Sequence, residues 1–208
     1  MTFRNLLRVL MAVVAATLLS ACAVRTFTPP VPATAASLPD KAVVIVSVSH
    51  DVQAGTEANG RITLDGRTPQ YMLFRTSASL LESAIRNDFT DRIGQVYVIE
   101  VAPGHHRFTS WSVQMGGRVA QTSADDPPLE FDVAAGQVVY LGDLHIDLTM
   151  HQTRLTHNNF PVAAVVRVAD RSAVDIAIAE AANPWIAGKA RTKLLTPDVW
   201  GAGLPPAR

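Results

Sequence analysis

The chain has a single cysteine, Cys22, among its 208 residues. One thiol excludes an intramolecular disulfide framework and any zinc site built from several cysteines, so the folded part must hold together by its core. The patterns HExxH, G-x-G-x-x-G, the P-loop and CxxC are all missing, which removes the helix-borne metalloprotease site, the dinucleotide fingerprint, the phosphate cradle and the dithiol redox pair. No acidic residue precedes Asp40, and the apolar run near the N-terminus, Val9 to Leu19, is only 11 residues long. As a helix it would span about 16 Å at about 1.5 Å per residue, against about 30 Å of bilayer hydrocarbon.

Arg4 and Arg8 followed by that short apolar run form the n-region and h-region of a secretory signal, a segment to be removed. The next four residues, Leu19-Ser20-Ala21-Cys22, resemble the lipobox of bacterial lipoproteins. The resemblance implies cleavage before Cys22, diacylglycerol on its thiol and a palmitate-like acyl chain on the new amine. Each buried CH₂ contributes about 0.8 kcal/mol, and two or three chains anchor durably where one does not. Ala23 is not the aspartate that in such lipoproteins favours inner-membrane retention, so the resemblance implies an outer membrane address facing the periplasm. Two other readings stay open: an ordinary secretory signal that leaves Cys22 free, and an uncleaved N-terminal anchor.

Without residues 1–21, 187 remain, with 16 basic and 18 acidic groups and a net charge of −2. That balance argues against nucleic acid as a partner and against a polybasic grip on anionic lipid. The length suits one domain that buries about 70% of its unfolded surface. Residues 22–40 carry the lipidation site and then TPPVPATAASLPD, whose composition predicts an extended tether. A β-rich domain is expected over 41–195 and a flexible tail over 196–208.

Within 41–195 short β-branched runs alternate with turn residues, which predicts a mainly β domain, an antiparallel β-sandwich with one short C-terminal helix. Val43 to Val48 is the most apolar of these runs, as in a strand buried on both faces. Asn59-Gly60 and Asp65-Gly66 mark turns, Tyr71 to Arg75 a strand, and Ser79 to Arg92 a short helix or loop. Three hairpins follow: Gln95–Val101 with His106–Met115 across Pro103-Gly104; a return across Gly116-Gly117 that pairs Val113 with Ala120 and Trp111 with Thr122; and Leu129–Val133 with Val138–Met150 across Gly136. Pro161 to Ala169 is a last strand. Ser172 and Asp175 have the spacing of a capping box for a helix from Ala173 to about Ala182, ended by Asn183-Pro184. The PG turn, the AGQVVYLG run from Ala135 to Gly142 and the late helix resemble uncharacterised bacterial lipoproteins with a transthyretin-like or carboxypeptidase-regulatory-like sandwich. That resemblance covers about residues 41 to 185 and brings no catalytic residues with it.

Histidine is the residue type with metal or acid–base potential: His105 and His106 at a turn, His145, His151 and His157 further on. If Leu144 to Met150 is one strand, Leu144, Ile146 and Leu148 face the core while His145, Asp147, Thr149 and His151 face out. His145 and His151 then stand about 20 Å apart, too far for one ion. His145 and Asp147 are close enough to share one, with His105 or His106 as a further donor, but nothing in the sequence brings these together, and solvated histidines on a polar sheet face are the preferred reading. Asp125-Asp126 precede Pro127-Pro128 and read as a loop, and Ser110 and Ser112 lack a G-x-S-x-G setting and a base. Trp111 and Trp185 read as core or lid residues, whereas Trp200 in the tail has no evident core to join. The reading is therefore a lipid-anchored envelope module, non-enzymatic and without a cofactor, that meets a protein or glycan partner. Its rivals are a periplasmic hydrolase and a metal-binding lipoprotein using His105, His106, His145 and Asp147.

Overall fold

In the computed structural model the described residues are 28–51, 58–65, 70–75, 86–115, 118–122, 126–152 and 159–201. The leader, Cys22, Gly116-Gly117, Asp125 and His157 lie outside them, as do most of the tail, residues 202–208. Eleven strands are found among the described residues: β1 (Ala42–Asp51), β2 (Ala58–Leu64), β3 (Gln70–Arg75), β4 (Arg92–Val101), β5 (Gly104–Met115), β6 (Arg118–Gln121), β7 (Leu129–Val133), β8 (Val138–Gln152), β9 (Asn159–Ala169), β10 (Ala190–Thr192) and β11 (Val199–Trp200). One α-helix, α1 (Ser172–Ala182), accompanies them. No helix among the described residues is long and apolar enough to cross a membrane.

The protein is thus mainly β, with two sheets that are mostly antiparallel. Sheet A runs β11-β9-β8-β1-β4, with β10 also paired to β8; sheet B runs β3-β2-β5-β6, with β7 also paired to β5. Two pairings depart from the antiparallel expectation: β1 with β8, and β10 with β8, are parallel. The departure follows from where the chain changes sheets. Pro103-Gly104 and Gly136 do reverse the chain, but neither closes a hairpin. β4 belongs to sheet A and β5 to sheet B, and β7 belongs to sheet B and β8 to sheet A. Turn residues specify a change of direction; which neighbour supplies the backbone partners is decided by burial. The second hairpin is present, with Val113 opposite Ala120 and the Thr122 N–H donating to the Trp111 carbonyl at 3.1 Å. Asn59-Gly60 is not a turn but lies inside β2, which pairs with β3.

β1 is buried along nine of its ten residues, as its unbroken VVIVSVS run predicts. Its two faces enter different cores. Val44, Val46 and Val48 join Ile62, Leu64, Phe108, Trp111, Phe131 and others between the sheets. Val43 and Ile45 pack with Val96, Val138, Tyr140, Ala179 and Ile186 beneath α1. Gly94 permits the close approach of β4, since a Cβ there would lie 2.4 Å from the Val48 carbonyl oxygen. β7 alternates as expected, with Leu129, Phe131 and Val133 buried and Glu130 and Asp132 exposed.

Two segments read as tether and tail are partly built into this framework. Ala33 donates to the Val98 carbonyl and Glu100 to the Val31 carbonyl, both at 3.0 Å, so residues 31–33 lie along the free edge of β4. At the other end Trp200 is 1% exposed in the core between the sheets. Its Nε1 donates to the Pro127 carbonyl at 2.9 Å, and Trp111 Nε1 donates to the Trp200 carbonyl at 3.0 Å. The tail has no apolar periodicity because only one of its side chains is needed to complete a core made elsewhere. Trp200→Ala is therefore expected to cost about 3–5 kcal/mol of unfolding free energy in a denaturant titration; a loss below about 1 kcal/mol would mean that the tail is not part of the cooperative unit.

Candidate functional site

Polar side chains gather on the α1 side of sheet A, beyond the apolar patch that the helix covers. Their position depends on a bulge in β8. Along its first residues Val139 and Leu141 face sheet B, whereas further on Leu144 and Ile146 do. The register against β1 steps from Ile45↔Tyr140 to Ser47↔Asp143, so β8 holds one extra residue, and Gly142 there has φ 118°. The extra residue turns Asp143, His145 and Asp147 away from the apolar core and onto the face shared with Ser47, Ser49 and Asp51.

At the floor lies a buried ion pair. Arg92 Nη1 donates to Asp143 Oδ2 at 2.8 Å, with side chains 3% and 0% exposed. The Arg92 guanidinium also stacks on Phe89, 4.6 Å from the ring centre. Ser49 Oγ donates to Asp143, lying 2.9 and 2.7 Å from its two oxygens, and stands 2.9 Å from His145 Nδ1. Nearer the rim, Asp91 sits beside Arg92 and accepts from Arg171 Nη2 at 3.0 Å. These groups surround a cleft of about 190 Å³. At the outer edge His145 Nε2 is 3.6 Å from Asp51 Oδ1 and 3.5 Å from Asp147 Oδ1, while the other oxygen of Asp147 accepts from Arg167 Nε.

A second buried carboxylate lies under the helix. Asp175 Oδ2 accepts from Ser47 Oγ and, at 2.7 Å, from the Tyr140 hydroxyl. It is therefore not half of a capping box; the Ser172 N–H is capped by Asp170 Oδ1 at 3.0 Å instead. Burial pushes the carboxyls of Asp175 and Asp143 above the usual range. For Asp143 the Ser49 hydroxyl, His145 and Arg92 pull in the opposite direction, and for Asp175 the hydroxyls of Ser47 and Tyr140 do so. Burial and the neighbouring Asp175 together drive the Tyr140 hydroxyl far up, so it stays a donor. His50, buried at the end of β1, is pushed down by the same desolvation and stays neutral.

The histidine constellation that the rival readings need is not assembled. His105 stands 53% exposed on β5 between Glu130 and Asp132 of β7. His106 stacks on Phe131 with ring centres 5.6 Å apart, its Nε2 2.7 Å from the Ala102 carbonyl oxygen. Both belong to sheet B, whereas His145 and Asp147 belong to sheet A. Ser110 donates to Thr63 rather than to a base, and Trp185 packs at the edge of the core beneath α1. The sequence reading did not single out Ser49, Arg92 or Asp143, and gave Asp175 a capping role instead. Their signal was a polar residue inside an otherwise apolar strand, Ser47 and Ser49 in β1 above all, which demands a buried partner.

Ser49, His145 and Asp143 have the composition of a nucleophilic triad without its wiring. Ser49 is 0% exposed and its hydroxyl donates to the Asp143 carboxylate, an arrangement unlike the serine-to-imidazole hydrogen bond of a triad. Comparison of the chain with protein-family models, with curated proteins and with solved structures finds no match.

Two outcomes test this account. Arg92→Ala leaves Asp143 buried without its cation and is expected to cost about 3–5 kcal/mol, whereas Arg92→Met combined with Asp143→Leu recovers most of that loss; equal losses in the single and double variants would refute the pairing. Asp175 binds a proton more tightly folded than unfolded. From the ordinary Asp value of about 4 up to its raised folded value, rising pH therefore lowers stability. Asp175→Asn, which cannot titrate, should compare more favourably with wild type at pH 7 than at pH 4 in denaturant melts, and a pH-independent difference would contradict the assignment.

Proposed function

We propose that this chain is a bacterial lipoprotein held by diacylglycerol and acyl chains on Cys22 at the outer membrane, facing the periplasm, and that its β domain is a non-enzymatic binding or structural module. The observation that carries the second half is the closure of the Ser–His–carboxylate grouping. Ser49 is fully buried and committed to Asp143, which leaves nothing there to attack a substrate. The domain's two sheets are read as the layers of a transthyretin-like or Ig-like sandwich. Support for that comes from the single apolar cluster their inner faces share, with the parallel β1–β8 pair as the departure from a purely antiparallel plan.

The anchoring half rests on the leader and on Leu19-Ser20-Ala21-Cys22. The docking of Val31 on β4 adds a geometric consequence. Nine residue steps from Cys22 reach at most about 32 Å when fully extended, so the domain would be held close to the headgroups and its partner, an envelope protein or glycan, would be met there.

In cells, the wild type is expected to fractionate with membrane and to yield one crosslinked envelope partner, while Cys22→Ala appears in the soluble fraction and loses that partner. Membrane retention of Cys22→Ala sinks the anchor. Turnover of an ester or amide panel by the wild type that Ser49→Ala abolishes would sink the non-enzymatic reading.

A further inference from the structure

The mouth of the cleft brings three electron-pair donors together. Ser49 Oγ gives its proton to Asp143, so toward His145 it can only accept, and the imidazole must present Nδ1–H to it. With Nδ1–H committed there, the neutral ring presents the lone pair of Nε2 outward. What Nε2 faces is Asp51 Oδ1 at 3.6 Å and Asp147 Oδ1 at 3.5 Å. Three acceptors at such distances repel one another unless a proton on Nε2 or a metal cation lies among them.

We infer that His145, Asp147 and Asp51 bind a divalent first-row metal ion of the zinc type. Two donors bonded to one tetrahedral ion at about 2.1 Å stand about 3.4 Å apart, close to both separations observed here. A mixed set of one imidazole and two carboxylates suits such an ion, whereas calcium and magnesium favour all-oxygen shells. The surroundings have the form that a metal-bound histidine requires. Its second nitrogen is held by Ser49, which is itself held by the buried Asp143, and Arg92 anchors that carboxylate in turn. Arg167 occupies the other oxygen of Asp147 and orients Oδ1 toward His145.

As the side chains stand, no three such groups among the described residues surround one point. Closing the shell requires a carboxylate to reorient. Asp51 ends β1 and its side chain is 71% exposed, so it can rotate without displacing packed neighbours. The register Ser49↔His145, His50↔Ile146 places Asp51 and Asp147 next in line on adjacent parallel strands, about 4.8 Å apart. Its open side leaves room for water to complete the shell.

The experiment is calorimetric titration of the full mature chain in detergent with zinc chloride, beside His145→Ala, Asp147→Asn, Asp51→Asn and His105→Ala, each checked for an intact unfolding transition. One equivalent bound at micromolar concentration or tighter, weakened at least tenfold by each of the first three changes and unaffected by His105→Ala, is the expected result. The imidazole ¹⁵N spectrum supplies a reading independent of variant folding: zinc should shift Nε2 of His145 and leave Nδ1 protonated. No binding at 100 µM zinc, binding that survives His145→Ala, or a His145 ring that stays an imidazolium between the two carboxylates in the presence of zinc would overturn the inference.

Discussion

Nine of the ten residues of β1 are out of water, so each face of this strand needs its own cover, and the rest of the architecture follows from meeting that demand. Sheet B covers one face through the large inter-sheet core, and α1 with the turn at Pro184–Ile186 covers the other. A strand at the centre of a sheet also has both edges paired, here by β4 and β8. The cost falls on the polar residues of the same run. Ser47, Ser49 and His50 are carried into the interior with the valines, and a hydroxyl buried without a partner loses several kcal/mol of hydration. The hydroxyls of Ser47 and Ser49 draw in Asp175 from α1 and Asp143 from β8.

Each carboxylate brought inside raises a further demand, because removing an ion from water costs several kcal/mol unless a countercharge and hydrogen bonds replace the lost solvent. Asp143 is answered by Arg92 and Ser49. Asp175 is answered by Ser47, by Tyr140 and by its place in the first turn of α1, where the helix macrodipole favours negative charge. Tyr140 extends the connection, since its hydroxyl also accepts the Arg171 backbone N–H at 3.3 Å. The polar groups thus join β1, β4, β8 and the start of α1 into one network. Its role toward the fold is to fix where the helix sits on the sheet; toward chemistry it turns the outer nitrogen of His145 to the mouth of the cleft.

Much of the element pattern was legible in the sequence, because alternation and capping are local. β1, β4, β7, the β5–β6 pairing and α1 over 172–182 lie where periodicity and turn residues place them. Partnership was not legible: Pro103-Gly104 and Gly136 look like hairpin turns, yet the strands on either side belong to different sheets. The same limit concealed the site. His145 and Asp147 stood out as polar positions of an alternating strand, but the residues that decide what His145 can do, Ser49 and Asp143, are 94 positions apart and meet only through the β1–β8 pairing. One sign of their arrangement was local. The apolar phase of β8 shifts between Val139, Leu141 and Leu144, Ile146, and Gly142 stands at the shift.

The Pro-rich segment illustrates how composition can be read correctly and its consequence missed. Residues 28–40 lack apolar periodicity and are extended in part, as proline requires, but Val31 and Ala33 still offer backbone groups to the open edge of β4. Pro30 and Pro32 have no N–H, so a strip carrying them cannot serve as the template for another full strand. The strip therefore does two things at once. It satisfies the edge of sheet A and ends the sheet there, which keeps that edge from pairing with the edge of another copy. A tether that only spaced the domain from the bilayer would leave that edge open, and the 2.6 Å hydrogen bond from Ser37 to Glu100 of β4 shows the segment held by side chains as well as by backbone.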